Sequence, residues 1–149
     1  MMSTKVIFAS DVFHELTRRA VRWGIVLGFV CGIVAGLPIF VIGALCGLAL
    51  GPFVGMICGA LAGWILGAVT TSFYLPLPQA KYTQYRIVAA LICVTVSLIF
   101  AYIVQGVIFH AYSDITSYLI TFTFIPAILA AFWSSQSLAT WYITYCQSK

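Results

Sequence analysis

Few side chains in this sequence are of a type that does chemistry. His14 and His110 are its histidines, and Asp114 follows His110 by four residues. At that spacing a carboxylate can orient an imidazole ring. A histidine held in this way can ligate a haem or a pigment whose other ligand comes from elsewhere; the plainer reading is an interfacial residue that caps a helix. His14 cannot complete the pair within one chain, because the two would sit on opposite sides of roughly 30 Å of hydrocarbon. His110 is the candidate cofactor ligand, for haem or pigment, and no cofactor or metal is expected.

The remaining reactive groups are thiols and hydroxyls. Cys31, Cys46, Cys58, Cys93 and Cys146 make an odd count with no Cys-x-x-Cys pair, and all but the last fall inside apolar runs. They read as small hydrophobes rather than disulfide partners or metal ligands. Thr95, Ser97, Gln105, Thr121 and Thr123 are the polar residues at depth, and hydroxyls in apolar helices mostly bond back to their own backbone. No Ser-His-Asp, Cys-His, HExxH, Walker or dinucleotide-binding pattern occurs. No catalytic residues are expected, and the chain does not read as an enzyme.

The elements that must position these groups are set by hydropathy. The chain is 63% hydrophobic and 7% charged, with a mean hydropathy of +1.11. Soluble domains carry about 25% charged residues, so this composition cannot cover a surface facing water. No Asp, Glu, Lys, Arg or His occurs between Arg22 and Lys81. Further uncharged runs follow from Ile87 to Phe109 and from Ile115 to the residue before Lys149. A helix crosses the hydrocarbon with about 20 apolar residues. The expected class is therefore an all-α integral membrane protein with four transmembrane helices. The opening residues place charges where a secretory signal would be apolar, so the first helix is expected to act as an uncleaved anchor.

Charge sets the expected topology. Lys5, Arg18, Arg19, Arg22, Lys81, Arg86 and Lys149 mark cytoplasmic segments, and Asp114 an external one. The resulting organisation is an amphipathic cytoplasmic segment over 1–22 and a glycine-rich hairpin over 23–75. A cytoplasmic linker (76–86), a third crossing (87–110) and an external linker (111–116) follow. A fourth crossing (117–136) leads into a cytoplasmic interfacial segment over 137–149. The expected location is a membrane of the bacterial inner type, with both termini cytoplasmic.

Eleven of the twelve glycines lie in the hairpin, at four-residue spacing: Gly24, Gly28, Gly32 and Gly36, then Gly43, Gly47, Gly51, Gly55, Gly59, Gly63 and Gly67. A mid-helix glycine costs roughly 1 kcal/mol against alanine in water. In lipid, small residues at this spacing let two backbones approach closely. The run GLALGPFVGMICGALAG is similar to the glycine-zipper hairpins of many unrelated small membrane proteins. That resemblance implies a packing device and no activity. Two breakpoints are available, Gly36-Leu37-Pro38 and Gly51-Pro52. The midpoint of the apolar run favours the second, with Pro38 as a kink. A stripe at every fourth residue drifts about 40° per step, or roughly 240° from Gly43 to Gly67. One partner helix is not expected to cover that arc, so the eleven glycines read as a partner interface beyond what the hairpin needs. Internal use is the competing reading, with Leu91, Phe100, Tyr102, Phe122, Phe124 and Phe132 seated over the glycines.

The ends are amphipathic. Ser10 or Asp11 can cap a helix whose apolar side carries Val12, Phe13, Leu16, Ala20 and Trp23, and Glu15 can pair with Arg19. Arg18, Arg19 and Arg22 would meet anionic headgroups. Leu138, Trp141, Tyr142 and Tyr145 make a similar face near the other terminus. Together these features predict a non-enzymatic subunit of a larger membrane complex. Its partners would be other integral membrane subunits, copies of itself and the bilayer, with no nucleic acid. A homo-oligomeric channel or small-solute carrier is the alternative, and a pigment-, haem- or quinone-binding subunit the second.

Overall fold

A computed structural model describes residues 9–36, 40–75, 78–109 and 116–147. Among the described residues there are four α-helices and no strand: α1 (Ala9–Gly36), α2 (Phe40–Phe73), α3 (Tyr82–Phe109) and α4 (Thr116–Gln147). A single 3-10 turn, Gln79–Lys81, leads into α3. The helices form a ring in which each packs on its chain neighbours and α4 closes back on α1.

Two helical stretches, Leu45–Phe73 and Tyr82–Val104, are long and apolar enough to cross a membrane. Only 17% and 22% of their most apolar windows are buried. The core helix of a soluble protein would be mostly covered, and these faces are not. Phe53, Trp64, Leu91, Tyr102 and Trp133 are among the large side chains that point outward.

The hairpin turns between Gly36 and Phe40 rather than at Gly51-Pro52, and α2 runs as helix straight through Pro52. Glycine register explains the choice. A turn at 51–52 would set Gly24, Gly28 and Gly32 against residues near 79, 75 and 71, none of them glycine. A turn at 36–40 brings them against Gly55, Gly51 and Gly47. Apolar helices tolerate proline when neighbours and local adjustment re-satisfy the freed carbonyl.

At the other end the four helices share one core. Val12, Leu16 and Ala20 of α1 pack with Leu66 of α2, Tyr85 and Ala89 of α3, and Leu138, Ala139, Tyr142 and Ile143 of α4. The last turns of α4 thus stay in the bundle as a continuation of the same helix. Ser10 and Asp11 lie inside the first turn of α1 rather than before it. There an acidic side chain complements the positive end of the helix dipole.

Candidate functional site: a glycine seam and a central cavity

The seam between α1 and α2 is backbone against backbone. A Cβ added at Gly28 would lie 2.8 Å from the Gly55 Cα and overlap the Gly51 carbonyl. One added at Gly55 would lie 2.8 Å from the Gly28 Cα and overlap the Gly24 carbonyl. Gly24, Gly32, Gly47, Gly51 and Gly59 are equally tight against the facing helix. Further along α2, Gly63 meets Ala20 and Thr17, and Gly67 meets the Phe13 ring. One helix therefore follows the stripe from Gly47 to Gly67, contrary to the expectation that a single partner could not. A repeat longer than the 3.6-residue helical period makes two helices wind round one another with right-handed sense, so the partner turns with the stripe. These nine glycines are all in contact within the chain, and Gly24, Gly28, Gly32, Gly47, Gly51, Gly55 and Gly59 also border the space between the two hairpins. Gly36 is buried, and the surroundings of Gly43 lie outside the described residues. Leu91, Tyr102 and Phe132, expected over the glycines, point outward instead.

The end of the bundle opposite the hairpin turn is closed by aromatic rings and hydroxyls. Thr70 donates to the Leu66 carbonyl at 2.6 Å, so it accepts from the Tyr85 hydroxyl at 3.0 Å. Tyr142 donates to the Tyr74 carbonyl at 2.6 Å. The rings of Tyr74 and Tyr85 meet edge-on at 5.2 Å, and those of Tyr85 and Tyr142 tilt together at 5.0 Å. Thr70, Tyr85 and Tyr142 are fully buried. Burial raises the pKa of the Tyr142 hydroxyl, and neighbouring Cys146 and Tyr85 push it the same way. The sequence signals that place Tyr85 in a linker and Tyr142 at an interface conceal this cluster, because its burial depends on three helices meeting.

Charge gathers at the same end. The described ionisable side chains of α1 are Asp11, His14, Glu15, Arg18, Arg19 and Arg22, and Lys81 and Arg86 stand at the start of α3. Arg18 and Arg22 are exposed. Arg19 is engaged within the chain: its Nε donates to Glu15 Oε1 at 2.8 Å, and its guanidinium lies 4.6 Å from the Trp141 ring centroid. Its role is thus a tie between α1 and α4.

Between the two hairpins is a cavity of about 640 Å³, lined by all four helices. Cys31 of α1, Cys58 of α2, Cys93, Ser97 and Ala101 of α3, and Ala131 of α4 contribute to its walls. Ala62, Cys93 and Ala131 converge on one small core cluster at its edge. The Cys58 thiol and the Ser97 hydroxyl are 3.7 Å apart and share a hydrogen bond, and Ser134 donates to the Ala131 carbonyl at 3.0 Å. No buried side-chain nitrogen or oxygen lacks a partner among the described residues, and no group of three metal-ligating side chains gathers there. Thr95 is exposed. His110, Asp114 and the side chains of Gln105, Thr121, Phe122 and Thr123 lie outside the described residues. Spacing held a clue to the cavity in Cys93, Ser97 and Ala101, and in Ala127 and Ala131, which repeat at four residues.

No protein-family model, curated protein or solved structure matches this chain.

Proposed function

We propose that the chain is a non-enzymatic, four-pass membrane protein, serving as a small packing subunit of a larger respiratory, photosynthetic or transport assembly. The observation that carries this reading is the separation of side chains along the bundle. Every described Asp, Glu, Lys, Arg and His stands at one end, and the rest of the length is apolar inside and out. Basic residues outnumber acids at that end, which supports a cytoplasmic position for it and for both termini. Ionisable residues at depth mark pathways and catalysis in membrane proteins, and the described helices carry none. The glycine seam makes the first hairpin a preformed ridge. Partners meet that ridge on outward side chains such as Leu48, Phe53, Ile57 and Trp64.

The channel reading needs a polar stripe along the cavity, and the two hydroxyls on the described lining are bonded internally. Gentle detergent extraction from the native membrane, affinity capture with mass spectrometry and an absorption spectrum test the proposal together. Large integral subunits in fixed ratio to this chain are the expected result. A colourless assembly of this chain alone would favour the channel or carrier, and visible absorbance a pigment or haem subunit.

A further inference from the structure

Protein interiors pack as densely as organic crystals, and voids larger than a water molecule are few. A cleft of about 640 Å³ between the two hairpins, open to the outside beside Cys46, Leu50 and Ile103, is within the roughly 300–1,000 Å³ range of ligand sites. We infer that it binds one hydrocarbon chain of a bilayer lipid, lying lengthwise between the two hairpins. The inference rests on the reading that the bundle spans a membrane.

Shape narrows the occupant first. Along α1 the lining extends from Ala20 to Gly36, which at 1.5 Å per residue is about 24 Å. A single extended hydrocarbon chain suits that length, which stays within a hydrocarbon layer roughly 30 Å thick.

Chemistry narrows it further. A buried water needs two to four polar partners, and the side chains of the described lining offer only the hydroxyls of Ser97 and Ser134, each already in one hydrogen bond within the protein. A quinone or a pigment needs a strong donor or a ligating group facing its polar part. The described lining offers no Asp, Glu, Lys, Arg, His or unpartnered hydroxyl for that purpose. Glycine, alanine and cysteine form walls of low relief along the cavity, suited to a molecule recognised by length alone. The tyrosine cluster keeps the space open, because Tyr85 and Tyr142 stand between the hairpins at one end and oppose their collapse.

The full chain is reconstituted in phosphatidylcholine vesicles containing a trace of phosphatidylcholine with a diazirine midway along one acyl chain. Photolysis releases dinitrogen, the carbene inserts into adjacent bonds, and peptide mass spectrometry maps the adducts. The expected result is labelling of Cys31, Ala101 and Ala127 in the cavity at yields comparable to those of outward Phe53, Leu91 and Trp133. Ala101→Phe should lower the inward labelling at least tenfold, and Ala68→Phe, on an exposed face, should leave it unchanged. Ala127→Leu is a milder filling variant if Ala101→Phe fails gel filtration, and the inward-to-outward ratio of the unmodified protein decides the matter in any case. Labelling confined to outward positions overturns the inference and leaves the membrane-spanning reading intact. Labelling of neither set removes both.

Discussion

The seam and the cavity share glycines, and the two flanks of that row come out opposite: Gly24, Gly28, Gly51 and Gly55 touch the facing helix on one flank and border the open space on the other. Along α1 and α2, glycine faces glycine and the backbones touch. Between the hairpins, glycine, alanine, cysteine and serine face one another across an open space. Small side chains permit close approach without causing it. In the seam, the turn between Gly36 and Phe40 sets the register, and Gly24, Gly28 and Gly32 find Gly55, Gly51 and Gly47. Between the hairpins, the buried rings of Tyr85 and Tyr142 set the spacing, so the small residues beyond them cannot close the gap. Packing in this protein is decided by what holds the helices apart as much as by what lets them meet.

The largest expected effect comes from filling the seam. In Gly55→Leu the new side chain has only the backbone of Gly24 and Gly28 to enter. Neither can yield without separating α1 from α2. Loss of more than about 4 kcal/mol is expected, beyond the range of ordinary substitutions. It should appear as loss of the cooperative melt of the detergent-solubilised protein by circular dichroism. An unchanged melting temperature would show that the seam does not hold the hairpin.

The spacer comes next. Tyr85→Ala removes a fully buried ring shared by α2, α3 and α4 and should cost about 3–5 kcal/mol. Tyr142→Phe keeps the ring and deletes the bond to the Tyr74 carbonyl, for a loss of about 1–2 kcal/mol. That variant has a pH signature. Because the folded pKa of Tyr142 is raised, its contribution is whole below the ordinary tyrosine range near 10 and falls away as pH rises beyond it. The unmodified protein should therefore lose stability in alkali more steeply than Tyr142→Phe. Parallel profiles in chemical denaturation between pH 8 and pH 12 would contradict this.

Much of this comparison was legible in the sequence, and the rest was not for identifiable reasons. The long uncharged runs and the glycine spacing suffice for an all-helical chain with a close-packed hairpin. Two glycine-proline signals compete for the turn, and only the pairing of Gly24, Gly28 and Gly32 with the second helix selects between them. A flat helical wheel makes the drifting stripe look too wide for one partner, because it omits the coiling of two helices about each other. Tyr85 and Tyr142 stand where hydropathy falls, so they read as linker and interface. Their burial is a long-range property of α2, α3 and α4 together. Cys93, Ser97 and Ala101 are visible as a small-residue row, yet spacing does not say whether such a row closes on a partner or lines a space.

A smaller effect isolates the tie between α1 and α4 at the closed end. Arg19→Gln removes both the pair with Glu15 and the contact with the Trp141 ring. Both groups of the ion pair are partly exposed, so about 0.5–1 kcal/mol is expected. The difference in melting temperature from the unmodified protein should shrink as salt is raised. A loss independent of salt would mean that packing of the arginine stem, rather than its charge, makes the tie.

The finest test uses one substitution at two glycines. Around Gly106 in α3, nothing described lies within 4 Å of an added Cβ, so Gly106→Ala meets no obstacle. Alanine is the better helix former, and a gain of up to about 1 kcal/mol is expected. Gly55→Ala adds the same methyl group to a helix and gains the same propensity, yet its Cβ would lie 2.8 Å from the Gly28 Cα. Strain there should exceed the gain, lowering the melting temperature where Gly106→Ala raises it. The opposite signs would separate glycine kept for contact from glycine in open space. Shifts of the same sign at both positions would mean that helix propensity outweighs the seam, and that the closeness of α1 and α2 is not what these glycines are for.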